Sequence, residues 1–153
     1  MIMYRLASGD YIKDLSGNGS KVYGGRWNSV GMNALYCTEN ISLAVLEILV
    51  NVKKYKRPLD YHLLTISIPD SIKPLVINAS KLKKNWKDDL SYSQFMGDGF
   101  IKTQQSLILQ VPSAIVEPEN NIIVNPKHAD ASKIKIISVK LFEFDKRLQL
   151  TNE

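Results

Sequence analysis

Glu47 stands in LAVLEILV, inside the most apolar stretch of the chain. An ionised carboxylate in a dry interior is costly unless it is paired and hydrogen-bonded. Glu47 therefore either sits on a narrow polar stripe that meets water, or lines a pocket where cationic or hydroxyl partners balance it. Arg26, in VYGGRWNSVGMNALYCT (22–38), is a candidate for that balance. Its planar fork binds carboxylates or phosphates bidentately, and the glycines before it would let backbone N–H groups approach an anion. The plainer reading puts Arg26 on the surface of a turn. Arg5 follows Tyr4 in an apolar strand, either as an edge residue or as a second cation directed into the same cleft. Tyr36 reads by itself as ordinary core, and Ser113, after Pro112 at a strand end, as a turn cap. The chemistry, if any, must come from Arg, Glu, Tyr, Ser and backbone groups.

Other catalytic signatures are absent. GNGSKV puts Val22 where a dinucleotide-binding G-x-G-x-x-G needs its third glycine. There is no phosphate-binding G-x-x-x-x-G-K-[ST], no H-E-x-x-H and no C-x-x-C. His62 lies in an apolar strand, where a structural role is expected, and His128 in a polar loop. Nothing points to a Ser-His-Asp triad. Cys37 is the sole cysteine, which excludes an internal disulfide and a zinc cluster, and no metal site is expected.

These residues must be positioned by a small set of elements. IMYRL reads as a first strand, residues 8–25 as a glycine-rich loop, and ALYCT (34–38) as a strand that turns Leu35 and Cys37 to one face and Tyr36 to the other. ENISLAVLEILVNVKKY predicts a helix capped by Thr38 or Asn40, apolar nearly all round and so buried. Strands are expected at YHLLTISI, PLVIN, SLILQVPS, NIIVN and KIKIISVKLFEF, an exposed connection at KLKKNWKDDL, and a helix broken near Gly97 and Gly99 over 92–104. Strands outnumber helices without regular alternation, which favours an α+β fold: a compact single domain over 1–153, with mixed or antiparallel sheet and flanking helices.

The chain has 153 residues, 44% hydrophobic and 23% charged, as in ordinary globular proteins. Its net charge of +5 and pI of about 9.2 suit an anionic ligand or partner. No signal-peptide layout and no membrane-length apolar run is present, so a cytoplasmic location and no membrane partner are expected.

Together the blocks YRL (4–6), GGRWNSVGMNALYCTENISLAVLE (24–47), GDGFIKTQQSLILQVPSAIVEPENNIIVNPKHAD (97–130) and FEFDKRL (142–148) resemble the RES family, the toxin half of RES–Xre toxin–antitoxin pairs. The order and spacing of the blocks agree over nearly the whole chain. Departures are local: Phe100 stands where the family often has Trp, Ala129 where Pro is usual, Thr38 for a common Ser, and Asn33 for a frequent Pro. The resemblance implies a fold similar to ADP-ribosyltransferase toxins. It implies NAD as a substrate rather than a cofactor, with cleavage of its nicotinamide–ribose bond by hydrolysis or phosphorolysis.

Carried over by position, the implied pocket is Arg5, Arg26, Tyr36, Glu47 and Ser113. Glu47 would stabilise the cationic transition state and Arg26 and Arg5 would grip the pyrophosphate. Tyr36 would stack on or orient nicotinamide, and Ser113 would bond the ligand or Glu47. The implied partner is an Xre-type helix-turn-helix antitoxin, and a homodimer is compatible with the sequence. Two rival readings stand beside this one. One is a toxin that transfers ADP-ribose to a protein. The other is a basic, non-enzymatic nucleic-acid-binding module built on KKYKR (53–57) and KLKK (81–84), although no familiar binding motif appears and no direct nucleic-acid contact is expected.

Overall fold

The computed structural model describes residues 1–51 and 60–148. Among them, seven strands form one sheet: β1 (Ile2–Ser8), β2 (Leu35–Thr38), β3 (Tyr61–Ser67), β4 (Leu75–Val76), β5 (Ile108–Pro112), β6 (Asn120–Val124) and β7 (Lys135–Leu141). Their order is β4-β5-β6-β2-β1-β3-β7. All neighbours are antiparallel except β4 and β5. Among the described residues, three α-helices accompany the sheet, α1 (Asn18–Tyr23), α2 (Ile41–Asn51) and α3 (Leu90–Thr103). This is the α+β architecture that the sequence predicts.

Strand alternation divides the core into two layers. Met3, Leu35, Cys37, Leu64, Ile66, Ile122 and Val124 pack in one. In the other, Leu109, Val111 and Ile123 meet Trp27, Trp86, Phe100 and Ile101, with Tyr36 packed against them. Register enforces the division: Cys37 lies opposite Ile122, and Tyr36 opposite Ile123. The same register sets Asn121 opposite Thr38 on the Tyr36 side. The middle of the sheet is joined differently on its two flanks. β1 pairs with β3 along its whole length, but with β2 at Tyr4 and Thr38.

Four local expectations are corrected. Residues 8–25 are not all loop, because Asn18–Tyr23 form α1. That helix buries none of its residues, so it carries no apolar period to read. It is held instead by polar contacts: the Ser20 hydroxyl donates to the Ala34 carbonyl at 2.5 Å and accepts from its N–H at 3.0 Å. Helix α2 is not buried all round, since Leu43 and Ala44 are buried while Ile41, Leu46 and Val50 are exposed. The connection 81–90 is not simply exposed. Leu82 and Trp86 enter the core while the lysines around them stay outside.

Helix α3 runs unbroken through both glycines. Gly97 serves packing: a Cβ there would lie 1.8 Å from the Trp27 carbonyl oxygen. Gly99 has open space in that direction. The predicted lysine-rich end of α2 and the KKYKR run lie outside the described residues.

Candidate active site

The segment GGRWN is folded around a buried amide. Asn28, fully buried, donates through Nδ2 to the carbonyls of Ser20 and Met32, each at 2.9 Å. Its Oδ1 accepts the Tyr36 hydroxyl at 2.6 Å, and that hydroxyl accepts the Trp27 N–H at 3.0 Å. A side chain on Gly25 would meet the Tyr36 hydroxyl at 2.5 Å. This glycine therefore admits the tyrosine and asparagine, whereas the sequence suggested an approach to an anion.

Helix α3 closes the segment from behind. Gln94 Nε2 donates to the carbonyls of Gly25 at 3.0 Å and Asn28 at 3.2 Å, and Asp98 accepts the Ser29 N–H at 2.9 Å. Trp27 packs against Trp86, with ring centroids 5.8 Å apart. The scaffold presents Arg26, half-buried, whose NH1 donates to the Lys87 carbonyl at 2.8 Å and whose guanidinium lies 5.8 Å from the Trp86 ring centre.

Glu47 approaches the same place from α2. Its Oε1 accepts from Asn121 Nδ2 at 2.8 Å. Burial raises the Glu47 carboxyl above its ordinary range, while the Asn121 hydrogen bond and the charge of Arg26 pull it back. Tyr36 feels the same neighbours. Burial pushes its phenol strongly upward, so it stays neutral at physiological pH. The Trp27 N–H and Arg26 oppose that rise, while Asp98 and Glu47 add to it. Arg26, Tyr36 and Glu47 thus share one electrostatic neighbourhood, with Glu47 half-buried at its place on α2.

Arg5 is placed separately. β1 lies between β2 and β3, so Arg5 is not on an edge. Alternation puts it with Met3 and Cys37, away from the layer that holds Tyr36. Its NH1 donates to the carbonyls of Tyr11, Ile12 and Asp14, each at 3.2 Å, closing the chain after β1 over the guanidinium. Burial lowers its pKa, against raising contributions from Cys37 and Asp14. Yet Arg5 and Tyr36 border one cavity of about 110 Å³, shared with Asp14, Gly17, Ser20 and Leu35. That cavity adjoins the short junction of β1 and β2, and of the other group Tyr36 alone is among the residues that border it.

Ser113 is fully buried at the end of β5. Its Oγ accepts from the N–H groups of Ile115 at 3.0 Å and Val116 at 3.1 Å, which shapes the turn into β6. Its hydroxyl oxygen is thus committed to the turn, and Glu47 takes its hydrogen bond from Asn121. His128 caps a short 3-10 turn, accepting the Asp130 N–H at 3.0 Å, and His62 lies beside Asp60. No cluster of metal-ligand type occurs among the described residues.

The residues that reading the sequence missed are amides and one acid: Asn28, Gln94, Asp98 and Asn121. None of them carried a clear signal: Asn121 is the first residue of NIIVN, where an asparagine bounds a strand as turn-forming residues commonly do.

Matched against protein families, residues 2–147 correspond to the RES domain. The "Toxin Res" of Photorhabdus laumondii subsp. laumondii is 39% identical over 153 residues, covering 97% of each chain. The "Prs ADP-ribosylating toxin" of Sphingobium sp. is 35% identical over 139 residues, covering 88% of this chain and 86% of its own. The crystal structure of the M. tuberculosis MbcT–MbcA toxin–antitoxin complex superposes with a TM-score of 0.76 at 20% identity, over 92% of this chain and 83% of that one. With the match spanning almost all of its sequence, the chain belongs to the RES domain family.

Proposed function

We propose that this protein is the toxin of a toxin–antitoxin pair and that it cleaves the nicotinamide–ribose bond of NAD. The observation that carries the reading is the Glu47 carboxylate, held by Asn121 at 2.8 Å and sharing its surroundings with Arg26 and Tyr36. Nicotinamide leaves as a neutral base when it takes the electron pair of the C1′–N bond, so no proton donor is needed. The ribose then passes through an oxocarbenium-like state, as in glycoside cleavage. A fixed carboxylate stabilises that positive charge. Arg26 supplies a cation for the pyrophosphate, and Arg5 reaches the ligand through the cavity it shares with Tyr36. Water or phosphate completes the reaction at C1′, giving ADP-ribose or its phosphate ester.

The test is purified, antitoxin-free protein incubated with NAD, with and without phosphate, with nicotinamide release followed by chromatography. Stoichiometric release is expected. Intact NAD after long incubation of folded protein would remove the reading.

A second reading has its own support in the Sphingobium relative named an ADP-ribosylating toxin. In that case the acceptor replacing water is a side chain, and mass spectrometry of treated lysate would show ADP-ribose on it. Of the runs behind the nucleic-acid-binding alternative, KLKK has its Lys83 paired with Asp89, and KKYKR lies outside the described residues. Likeness to a toxin–antitoxin complex supports an antitoxin partner, here proposed to be of the Xre helix-turn-helix type. A cytoplasmic site of action follows from the same proposal, since NAD is the substrate. No helix among the described residues is long and apolar enough to cross a membrane.

A further inference from the structure

Asn121 has two polar atoms with unequal fates. Its Nδ2 donates to Glu47 Oε1 at 2.8 Å. Its Oδ1 is buried and has no hydrogen-bond donor among the described residues. The orientation of the amide is not arbitrary, because an ionised carboxylate only accepts and so must face the nitrogen. Nor does the facing strand supply a donor. Thr38, the residue opposite Asn121 on β2, gives its hydroxyl proton to the Asn40 carbonyl at 2.7 Å.

A buried acceptor without a donor is unfavourable, and native proteins seldom leave one without a reason. Here the atom belongs to the side chain that anchors the proposed catalytic carboxylate. Glu47 Oε2 and Asn121 Oδ1 are therefore two acceptors on a pair of side chains joined by one hydrogen bond. A ligand with two donors on adjacent carbons could serve one acceptor of each side chain.

We propose that Asn121 Oδ1 and Glu47 Oε2 together take the cis-diol of the nicotinamide ribose, with Asn121 as the receptor for the 3′-hydroxyl. The assignment within the diol follows from chemistry. The carboxylate that stabilises charge at C1′ must lie nearest C1′, so it takes the 2′-hydroxyl on the adjacent carbon. The 3′-hydroxyl, one carbon further, falls to the amide. Binding supplies the donor that Oδ1 lacks, and the Asn121–Glu47 bond couples recognition of the sugar to the position of the carboxylate. Asn121 is then a specificity residue against substrates without the 3′-hydroxyl. This inference rests on the NAD-cleaving reading.

The experiment compares NAD with an analogue lacking the 3′-hydroxyl on its nicotinamide ribose, using wild-type protein and Asn121→Ala. Wild type is expected to prefer NAD in kcat/KM by roughly tenfold or more, the usual consequence of leaving a buried polar group unpaired. Asn121→Ala is expected to turn over both more slowly and to distinguish them by no more than about twofold, because the recognising atom is gone. Asn121→Val, which suits a strand, carries the same comparison if the alanine variant does not fold.

A preference for NAD that survives in the variant would overturn the proposal and leave Asn121 as an anchor for Glu47 alone. Equal handling of both substrates by wild type would overturn it too, with NAD cleavage intact. Absence of NAD turnover by folded wild type would instead remove the functional reading on which it stands.

Discussion

The Tyr36 hydroxyl donates to Asn28 Oδ1 at 2.6 Å and accepts the Trp27 N–H at 3.0 Å, so one phenol locks the segment that displays Arg26. Removing it strands a buried acceptor and a buried N–H at once. Tyr36→Phe is expected to cost about 1–3 kcal/mol of folding stability, measured as a lower urea midpoint. It should also loosen residues 25–29, seen as faster amide exchange there than in β3.

The two glycines of α3 make opposite predictions. Gly97→Ala drives a methyl group into the Trp27 backbone and is expected to destabilise by roughly 3 kcal/mol or to prevent folding. Gly99→Ala meets open space in a helix interior and is expected to stabilise by roughly 0.5–1 kcal/mol. Thermal denaturation of the two variants side by side is a direct check, and equal effects would contradict the close approach of α3 to Trp27.

Glu47→Gln separates activity from stability. Loss of the carboxylate is expected to lower the rate of nicotinamide release on the order of 100-fold or more. The wild-type rate should fall as pH drops through the raised Glu47 pKa, above the ordinary carboxylate range. The sign for stability is the reverse. A folded-state pKa above the unfolded value gives a contribution that is full below the unfolded value and lost as pH rises through the folded one. Urea midpoints of wild type should therefore decline from acidic to neutral pH relative to those of Glu47→Gln.

Arg26→Lys keeps the charge and removes the fork. The Lys87 carbonyl and the Trp86 ring, which now fix the guanidinium, hold an ammonium less well. KM for NAD is expected to rise about 10–100-fold, in line with a lost hydrogen bond to a charged group. An unchanged KM would separate Arg26 from substrate binding.

What could be read from the sequence was what periodicity and charge in the wrong place reveal. Alternation located Tyr36 on the face opposite Leu35 and Cys37, and the incongruity of Glu47 in LAVLEILV singled out the carboxylate that Asn121 holds. Asn28 and Asn121 were invisible because an amide's importance lies in its partners, which come from segments far apart in sequence: Asn121 meets Glu47 across 74 residues. Helix α1 escaped for a related reason, since it is fastened by the Ser20 hydroxyl to Ala34 and not by an apolar face. Gly25 reads locally as part of an anion cradle and Gly97 as a break in its helix. Their actual role, making room for Tyr36 and Trp27, depends on close approaches that no local pattern encodes.

Cys37 lies on β2 beside the short junction with β1, buried, with its thiol pushed up to about 12 by that burial. Only a small fraction is thiolate at neutral pH, and reagents reach it only when the strands part. As the chain's sole thiol, it is a built-in clock for that opening. The labelling rate at Cys37 counts how often the centre of the sheet comes apart, and a ligand that bridges Arg5 and Tyr36 across the junction should slow it.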